Sequence, residues 1–256
     1  MPRRGRSRRM PFRDDFVRKM ADHQLTFEIR GLLTANDRIL VLGSDTKVLS
    51  TVFELFCRPL VEEIAQDHGL RVETSPQTIY PDFTILSGPD DRAKLAVDIK
   101  TTYRRDNGVF WFTIGSYTSF LRNDTKNILY PYSTYAEHWI VGFVYTRTEE
   151  AQRRVYPLAE RATITSPYRD IAWFVQEKYK IAGLTPGSGN TTNIASISTN
   201  QIADFQDGGG PFARRGENYF REYWANYGTA AGKRFYRTIE EFEAWKRGHP
   251  DYRRFA

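Results

Sequence analysis

Tyr80-Pro81-Asp82-Phe83-Thr84-Ile85-Leu86, followed by Lys94-Leu95-Ala96-Val97-Asp98-Ile99-Lys100-Thr101-Thr102-Tyr103, is the stretch that decides the fold. Each half reads as a short apolar strand bounded by turn residues. Between them, Ser87-Gly88-Pro89-Asp90-Asp91-Arg92 supplies the Gly, Pro and Asp of a turn. The spacing predicts a β-hairpin. Residues i and i+2 of a strand share a face, so Asp98 and Lys100 point one way and Ile99 the other. Antiparallel pairing brings Asp82, at the start of the first strand, close to both.

Charged side chains in an apolar setting need partners. One reading is an ordinary ion pair between Asp98 and Lys100 on a half-exposed sheet. The other is a metal site, because two carboxylates can hold Mg²⁺ while water and a substrate phosphate complete the octahedron. Lys100 then faces the same phosphate. The pattern Pro-Asp, a gap, Asp/Glu-x-Lys is weak alone, arising by chance in roughly one chain in ten of this length. Its other occurrences lack strand character: Pro89-Asp90 sits in the turn, Pro250-Asp251 has no partner downstream, and Asp124-Thr125-Lys126 lies in a polar segment.

Outward from this hairpin, 256 residues at 40% hydrophobic suffice for one core. No run of about 18 apolar residues predicts a membrane span, and the N-terminus lacks the apolar region of a signal peptide. The single Cys57 excludes an internal disulfide framework. The four histidines are too scattered for a zinc site. A cytoplasmic protein is expected. The net charge of +6 comes from one place. Arg3, Arg4, Arg6, Arg8, Arg9 and Arg13 precede or abut the first acid, Asp14, and the remaining basic and acidic residues balance at 31 each. Residues 1–11 read as a disordered basic arm, either a phosphate-backbone contact or a solubilising tail.

Phe12, Phe16, Val17 and Met20 have helical spacing. Residues 25–33 and 38–42 predict a second hairpin around Thr34-Ala35-Asn36-Asp37. A long helix follows, with Gly43-Ser44 as break and N-cap, a kink at Pro59 and an end at His68-Gly69. Glu54 lies inside its apolar run; periodicity alone favours a solvent-facing position for it. Val109 to Thr113 predicts a strand, Tyr117 to Asn127 a polar phosphate-contacting segment, and His138 to Tyr145 a buried strand. Residues 147–170 read as loop, and Ile171 to Ala182 as strand. Gly183 to Asn193 has no apolar periodicity and reads as a loop whose Gly, Asn and Thr suit base edges in a groove, or as a plain surface loop. Tyr219 to Tyr227 and Ile239 to Trp245 predict two helices, with Lys233, Arg234 and Arg237 between them.

Several blocks together carry a likeness. Gly43 to Thr51, Phe53-Glu54-Leu55-Phe56, Tyr80-Pro81-Asp82-Phe83-Thr84, Tyr117-Thr118-Ser119-Phe120, Asp98 to Tyr103, Val144-Tyr145-Thr146-Arg147 and Gly187-Ser188-Gly189-Asn190-Thr191-Thr192-Asn193 resemble the EcoRV-like type II restriction endonucleases of the PD-(D/E)xK superfamily. The likeness runs from about residue 26 to residue 227. It implies an α/β fold, with a mixed β-sheet core flanked by helices and a small N-terminal dimerisation lobe. It divides the chain into the arm and a single endonuclease domain, 12–256, with a lobe at 12–42, a catalytic core at 43–182 and the recognition loop and last helices at 183–256. It casts Asp82 and Asp98 as Mg²⁺ ligands, Lys100 as the catalytic lysine and Glu54 as an auxiliary acid at the metal. It makes residues 187–193 the reader of the major groove, places Gln77 in a minor-groove loop, and sets Thr46, Thr101, Thr102, Ser119 and Lys126 at the DNA. Double-stranded DNA, a homodimer and a companion DNA methyltransferase are the implied partners. The match to this family implies the palindrome GATATC, cut bluntly. The loop's own inventory fits a half-site of G, A and T: the Asn190 amide suits adenine, the Thr191 methyl suits thymine, and Gly187 and Gly189 let the backbone approach. Departures occur at Ser75-Pro76-Gln77-Thr78-Ile79, at Pro186, in the arm and after Tyr227. A DNA-binding module without catalysis and a junction nuclease of the same fold are the alternatives.

Overall fold

The computed structural model describes residues 10–24, 27–43, 45–148, 154–187, 192–230 and 233–255. The chain begins with α1 (Phe12–Asp22) and the hairpin strands β1 (Leu32–Leu33) and β2 (Arg38–Leu40). Next come α2 (Thr46–Asp67), β3 (Arg71–Thr74), β4 (Phe83–Leu86), β5 (Lys94–Tyr103) and β6 (Thr113–Ser116). A 3-10 turn at Tyr132–Thr134 leads into β7 (Tyr135–Arg147); β8 (Val155–Pro157), a second 3-10 segment at Leu158–Thr163 and β9 (Tyr168–Glu177) follow. The remainder holds α3 (Lys178–Ile181), β10 (Ala182–Pro186), β11 (Asn193–Ser196), α4 (Ile202–Gln206), α5 (Glu217–Asn226), β12 (Thr229–Ala230), β13 (Lys233–Arg234) and α6 (Ile239–Gly248).

The centre is a five-stranded mixed sheet in the order β3-β4-β5-β7-β9. The expected hairpin forms, with Phe83 opposite Val97, Thr84 opposite Ala96 and Ile85 opposite Leu95. β5 then pairs in parallel with β7, and β7 pairs antiparallel with β9. Period-2 alternation sorts the side chains to two cores. Leu95, Val97, Ile99, Trp139, Val141, Phe143 and Tyr145 face α1 and α2. Ala96, Ile140, Val144 and Phe174 face a second aromatic core built with α3, α4, α5 and α6. Because both faces are covered, β7 is apolar almost throughout, as the sequence implied.

α2 seats Leu49, Phe53, Cys57, Leu60, Val61 and Ile64 on the sheet; Phe53 stacks on Phe143 with centroids 4.6 Å apart. Asp45, rather than Ser44, caps the helix, accepting from the N–H groups of Lys47 and Val48. Ser44 lies outside the described residues. The helix is continuous through Pro59 and stops where Gly69 takes a φ of +68°. α1 belongs to the core and not to a separate lobe. Phe12 and Phe16 are fully buried against Trp139 and Trp173. Buried Asp15 bonds His68, the residue just past the end of α2, at 2.7 Å and Arg18 at 2.5 Å. Met10 is also buried, so the end of the expected arm is docked; its arginines at 3, 4, 6, 8 and 9 lie outside the described residues.

Three local expectations need correction. The strand placed at 109–113 runs over Thr113–Ser116 instead, and Phe110 makes only a single bridge to Thr199. Segment 147–170 holds β8 and a 3-10 segment, because Val155–Pro157 completes a small sheet with β2 and β1. The strand expected over 171–182 ends at Glu177 and gives way to α3.

Candidate active site

β4 and β5 set the geometry. Asp98 and Lys100 project from the face of β5 opposite Ile99, as the alternation demanded. Asp82 stands just before β4, and its Oδ2 accepts a hydrogen bond from the main-chain N–H of Ile99 at 2.6 Å. Lys100 Nζ lies 2.7 Å from Asp98 Oδ2 and 4.0 Å from Asp82 Oδ2. The Asp98 contact is an ion pair without hydrogen-bond alignment, and that buried oxygen has no hydrogen-bond partner. The three groups share a cleft of about 420 Å³ with Thr78, Ile79, Tyr80, Gly115, Ser116, Ser119, Phe120, Asn127, Thr192 and Asn193.

The electrostatics follow from this crowding. Burial, then the Asp98 charge, push the Asp82 carboxyl up to about 7, against the pull of Lys100 and the Ile99 N–H. Burial presses Lys100 down, but the Asp98 and Asp82 carboxylates outweigh it and hold its pKa above the ordinary lysine value. Two adjacent carboxylates, one with a buried oxygen lacking a hydrogen bond, form a donor set suited to a hard cation. Among the described residues, no three His, Cys, Asp or Glu side chains converge as a metal cage. Glu54 therefore does not complete a three-carboxylate cage with Asp82 and Asp98. It is half-buried on α2, and its charge acts on both Asp82 and Lys100.

The other expected residues divide. Ser119 lines the cleft but is buried, donating to the carbonyl of Lys126 at 2.8 Å. Gln77 and Lys126 are exposed on turns next to cleft residues Thr78 and Asn127. Thr101 and Thr102 are half-buried beyond Lys100 on β5, and Thr46 is exposed at the first turn of α2. In sequence, residues 187–193 join β10 to β11, two strands that pair antiparallel, and β11 pairs in turn with β6. Gly187 N–H donates to Asn193 O, and Tyr117 N–H donates to Thr192 O, both at 2.9 Å. This carries Thr192 and Asn193 to the cleft wall; Ser188, Gly189, Asn190 and Thr191 lie outside the described residues. The Asp124-Thr125-Lys126 decoy is structural: Asp124 accepts from the Ser133 N–H and hydroxyl.

The sequence reading missed a buried polar set behind the cleft. The Tyr80 hydroxyl shares a 2.9 Å hydrogen bond with His138 Nδ1, and His138 Nε2 lies 3.7 Å from Glu217 Oε1. Lys178 is buried beside Tyr80. The only local signal was that polar Gln176-Glu177-Lys178 follows directly on the apolar Ile171 to Val175.

A sequence profile described as restriction endonuclease EcoRV matches residues 23–247. The chain belongs to the EcoRV restriction endonuclease family. The Escherichia coli protein named type II restriction enzyme EcoRV is 44% identical to it over 242 residues, covering 92% of this chain and 98% of that one. The family assignment makes the chain a type II restriction endonuclease. NlaIV restriction endonuclease superposes with a TM-score of 0.42 and 11% identity over 95% of this chain and 91% of that chain, a likeness too slight to carry an argument.

Proposed function

We propose that this protein hydrolyses phosphodiester bonds of duplex DNA, with Mg²⁺, as a homodimer that cuts bluntly within GATATC. The observation that carries the reading is the convergence of Asp82, Asp98 and Lys100 in one cleft whose wall includes Thr192 and Asn193, the end of the Gly-rich loop. Duplex DNA is the substrate that joins such a centre to such a loop. Asp82 and Asp98 are the residues to hold the metal, which when bound would lower the pKa of a water and offset charge on the phosphoryl oxygens. Lys100 keeps its proton, because the two carboxylates beside it favour the charged form. It therefore acts as a fixed cation aimed at the phosphate, stabilising the charge that builds as the water oxygen bonds to phosphorus and the leaving oxygen departs in line. The Ile99 N–H holds Asp82 in place throughout.

The dimer reading rests on an apolar row. Leu32 pairs with Leu40, and Leu40 with Val155, so the three share one face of the β1-β2-β8 sheet. They are 48%, 43% and 51% exposed, and Leu55 on α2 is 62% exposed. Clustered exposed apolar side chains mark an interface, and a palindrome read by two equal halves matches a two-fold dimer. Residues 187–193 read the bases and Gln77, Thr46, Thr101, Thr102 and Lys126 lie along the duplex. A companion methyltransferase would protect host sites, acting on the adenine that the Asn190 amide contacts. Asn190→Ala should nearly eliminate specific cleavage, since a bidentate base contact contributes about 1–3 kcal/mol of discrimination and both subunits lose it. Incubating plasmid with protein and Mg²⁺ tests the reading. Linear product from a plasmid with one GATATC site supports it; retardation without nicking points to a binding module, and cutting at branched structures to a junction nuclease.

A further inference from the structure

The cleft has a charge that its open face does not show. Lys178 is the first residue of α3, 1% exposed, and its Nζ has no hydrogen-bond partner. That nitrogen lies 4.4 Å from the Tyr80 ring centroid and 4.7 Å from the Phe120 ring centroid, and the two rings stack 4.4 Å apart. On another side is Gly115, where a Cβ would stand 2.9 Å from Nζ. Tyr80, Phe120 and Gly115 all line the cleft that holds Asp82, Asp98 and Lys100. The ammonium is therefore directly beneath the cleft floor.

We propose that Lys178 is a positioning residue for phosphodiester cleavage, supplying from beneath the floor a positive charge that lets a phosphate settle beside the Asp82–Asp98 pair. This rests on the reading of Asp82, Asp98 and Lys100 as the nuclease centre. The cleft carries two carboxylates against one ammonium, and a phosphodiester adds a further negative charge. A cation behind aromatic rings is screened by protein rather than water, where charge interactions are several-fold stronger. It is also fixed in advance and needs no reorganisation when the substrate arrives. The titratable and charged groups that act on Lys178 are Asp98, Lys100 and Glu217. Burial lowers its pKa most, Lys100 adds to that, and Asp98 and Glu217 oppose them, leaving a value of about 7. A bound phosphate sides with the charged form. Packing gives no reason for a lysine here: an ammonium without a hydrogen bond in the interior costs stability, and methionine fills similar space.

The opposing account makes Lys178 a structural prop whose cation–π contacts hold Tyr80, and through it Asp82, in place. Two neutral variants of different shape separate the accounts. The charge account expects Lys178→Met and Lys178→Gln to melt at or above the parent temperature, yet to bind a GATATC duplex without metal about fivefold more weakly and to cleave it about tenfold more slowly with Mg²⁺. In an Asp98→Asn background the effect of Lys178→Met on metal-free binding should shrink to about twofold or less, because the charge it offsets is gone. Parent-like binding and cleavage in either variant would overturn the proposal. So would a fall in melting temperature that accompanies the loss of binding, which marks a prop. If the parent protein fails to cut with Mg²⁺, the nuclease reading itself fails; if the parent cuts and Lys178→Met cuts equally fast, only the role of Lys178 fails.

Discussion

The Asp82 carboxylate accepts a 2.6 Å hydrogen bond from the main-chain N–H of Ile99, the residue between Asp98 and Lys100. Ladder pairing between β4 and β5 begins at Phe83–Val97, so the side chain of Asp82 extends the pairing beyond the last backbone partner. One carboxylate is thereby tied to the strand that carries the other. The tie keeps two negative groups adjacent despite their repulsion; burial and the Asp98 charge raise the Asp82 pKa, and the Ile99 N–H opposes that rise.

Asp98→Ala should abolish cleavage while leaving metal-free duplex binding intact, since it removes a carboxylate of the proposed metal pair and no DNA-reading group. Glu54→Ala should slow cleavage less, because Glu54 acts on Asp82 and Lys100 only through its charge. Full cutting by Asp98→Ala at any Mg²⁺ concentration would remove Asp98 from the site.

A charge in the apolar row should break the assembly. Leu40 sits between Leu32 and Val155 in register. The parent protein is expected to be a dimer without DNA, and Leu40→Asp a monomer of about 30 kDa at micromolar concentration, as measured by light scattering. A monomeric parent would refute the dimer.

Gly142→Ala should destabilise the fold. A Cβ there would stand 2.1 Å from Phe174 Cε1. Phe174 cannot retreat, because it packs between Phe112 and Phe205 at centroid distances of 5.4 and 4.8 Å. Overpacking of this kind costs about 1–3 kcal/mol, which calorimetry would register as a melting point lower by several degrees.

Glu217 gives stability a pH dependence. Burial raises its carboxyl from the ordinary 4.5 to about 7, so the folded protein holds that proton more tightly than the unfolded chain. Its contribution is complete below about pH 4.5 and is lost as pH rises through 7. The side chain keeps 25% of its surface, so water screens part of the effect, which is on the order of 1–2 kcal/mol. Glu217→Gln should flatten the stability profile over that window. An unchanged slope in chemical denaturation would contradict it.

The central hairpin was legible because apolar alternation and a Gly-Pro-Asp turn are local signals, and the face shared by Asp98 and Lys100 followed from strand period alone. β8 was not legible: Val155–Pro157 is short and its strand character comes from pairing with β2, a partner over a hundred positions earlier. The α1 docking was hidden for the same reason, since Phe12 and Phe16 find Trp139 and Trp173 only in three dimensions. Glu54 defeated periodicity because its significance is electrostatic and directed at another element. Lys178 was not legible because its neighbours Gln176, Glu177 and Lys180 make the segment read as polar, and its burial comes only from packing against Tyr80 and Phe120.

The most direct test of the central claim is to digest a plasmid bearing one GATATC site with the protein and Mg²⁺ and to sequence the ends. The expected result is a single linear product with blunt ends at the centre of that site, and no cutting of a plasmid in which the site is changed. Equal cutting of both plasmids, or ends at an unrelated sequence, would contradict the account of recognition; no cutting of either would contradict the reading of Asp82, Asp98 and Lys100 as a nuclease centre.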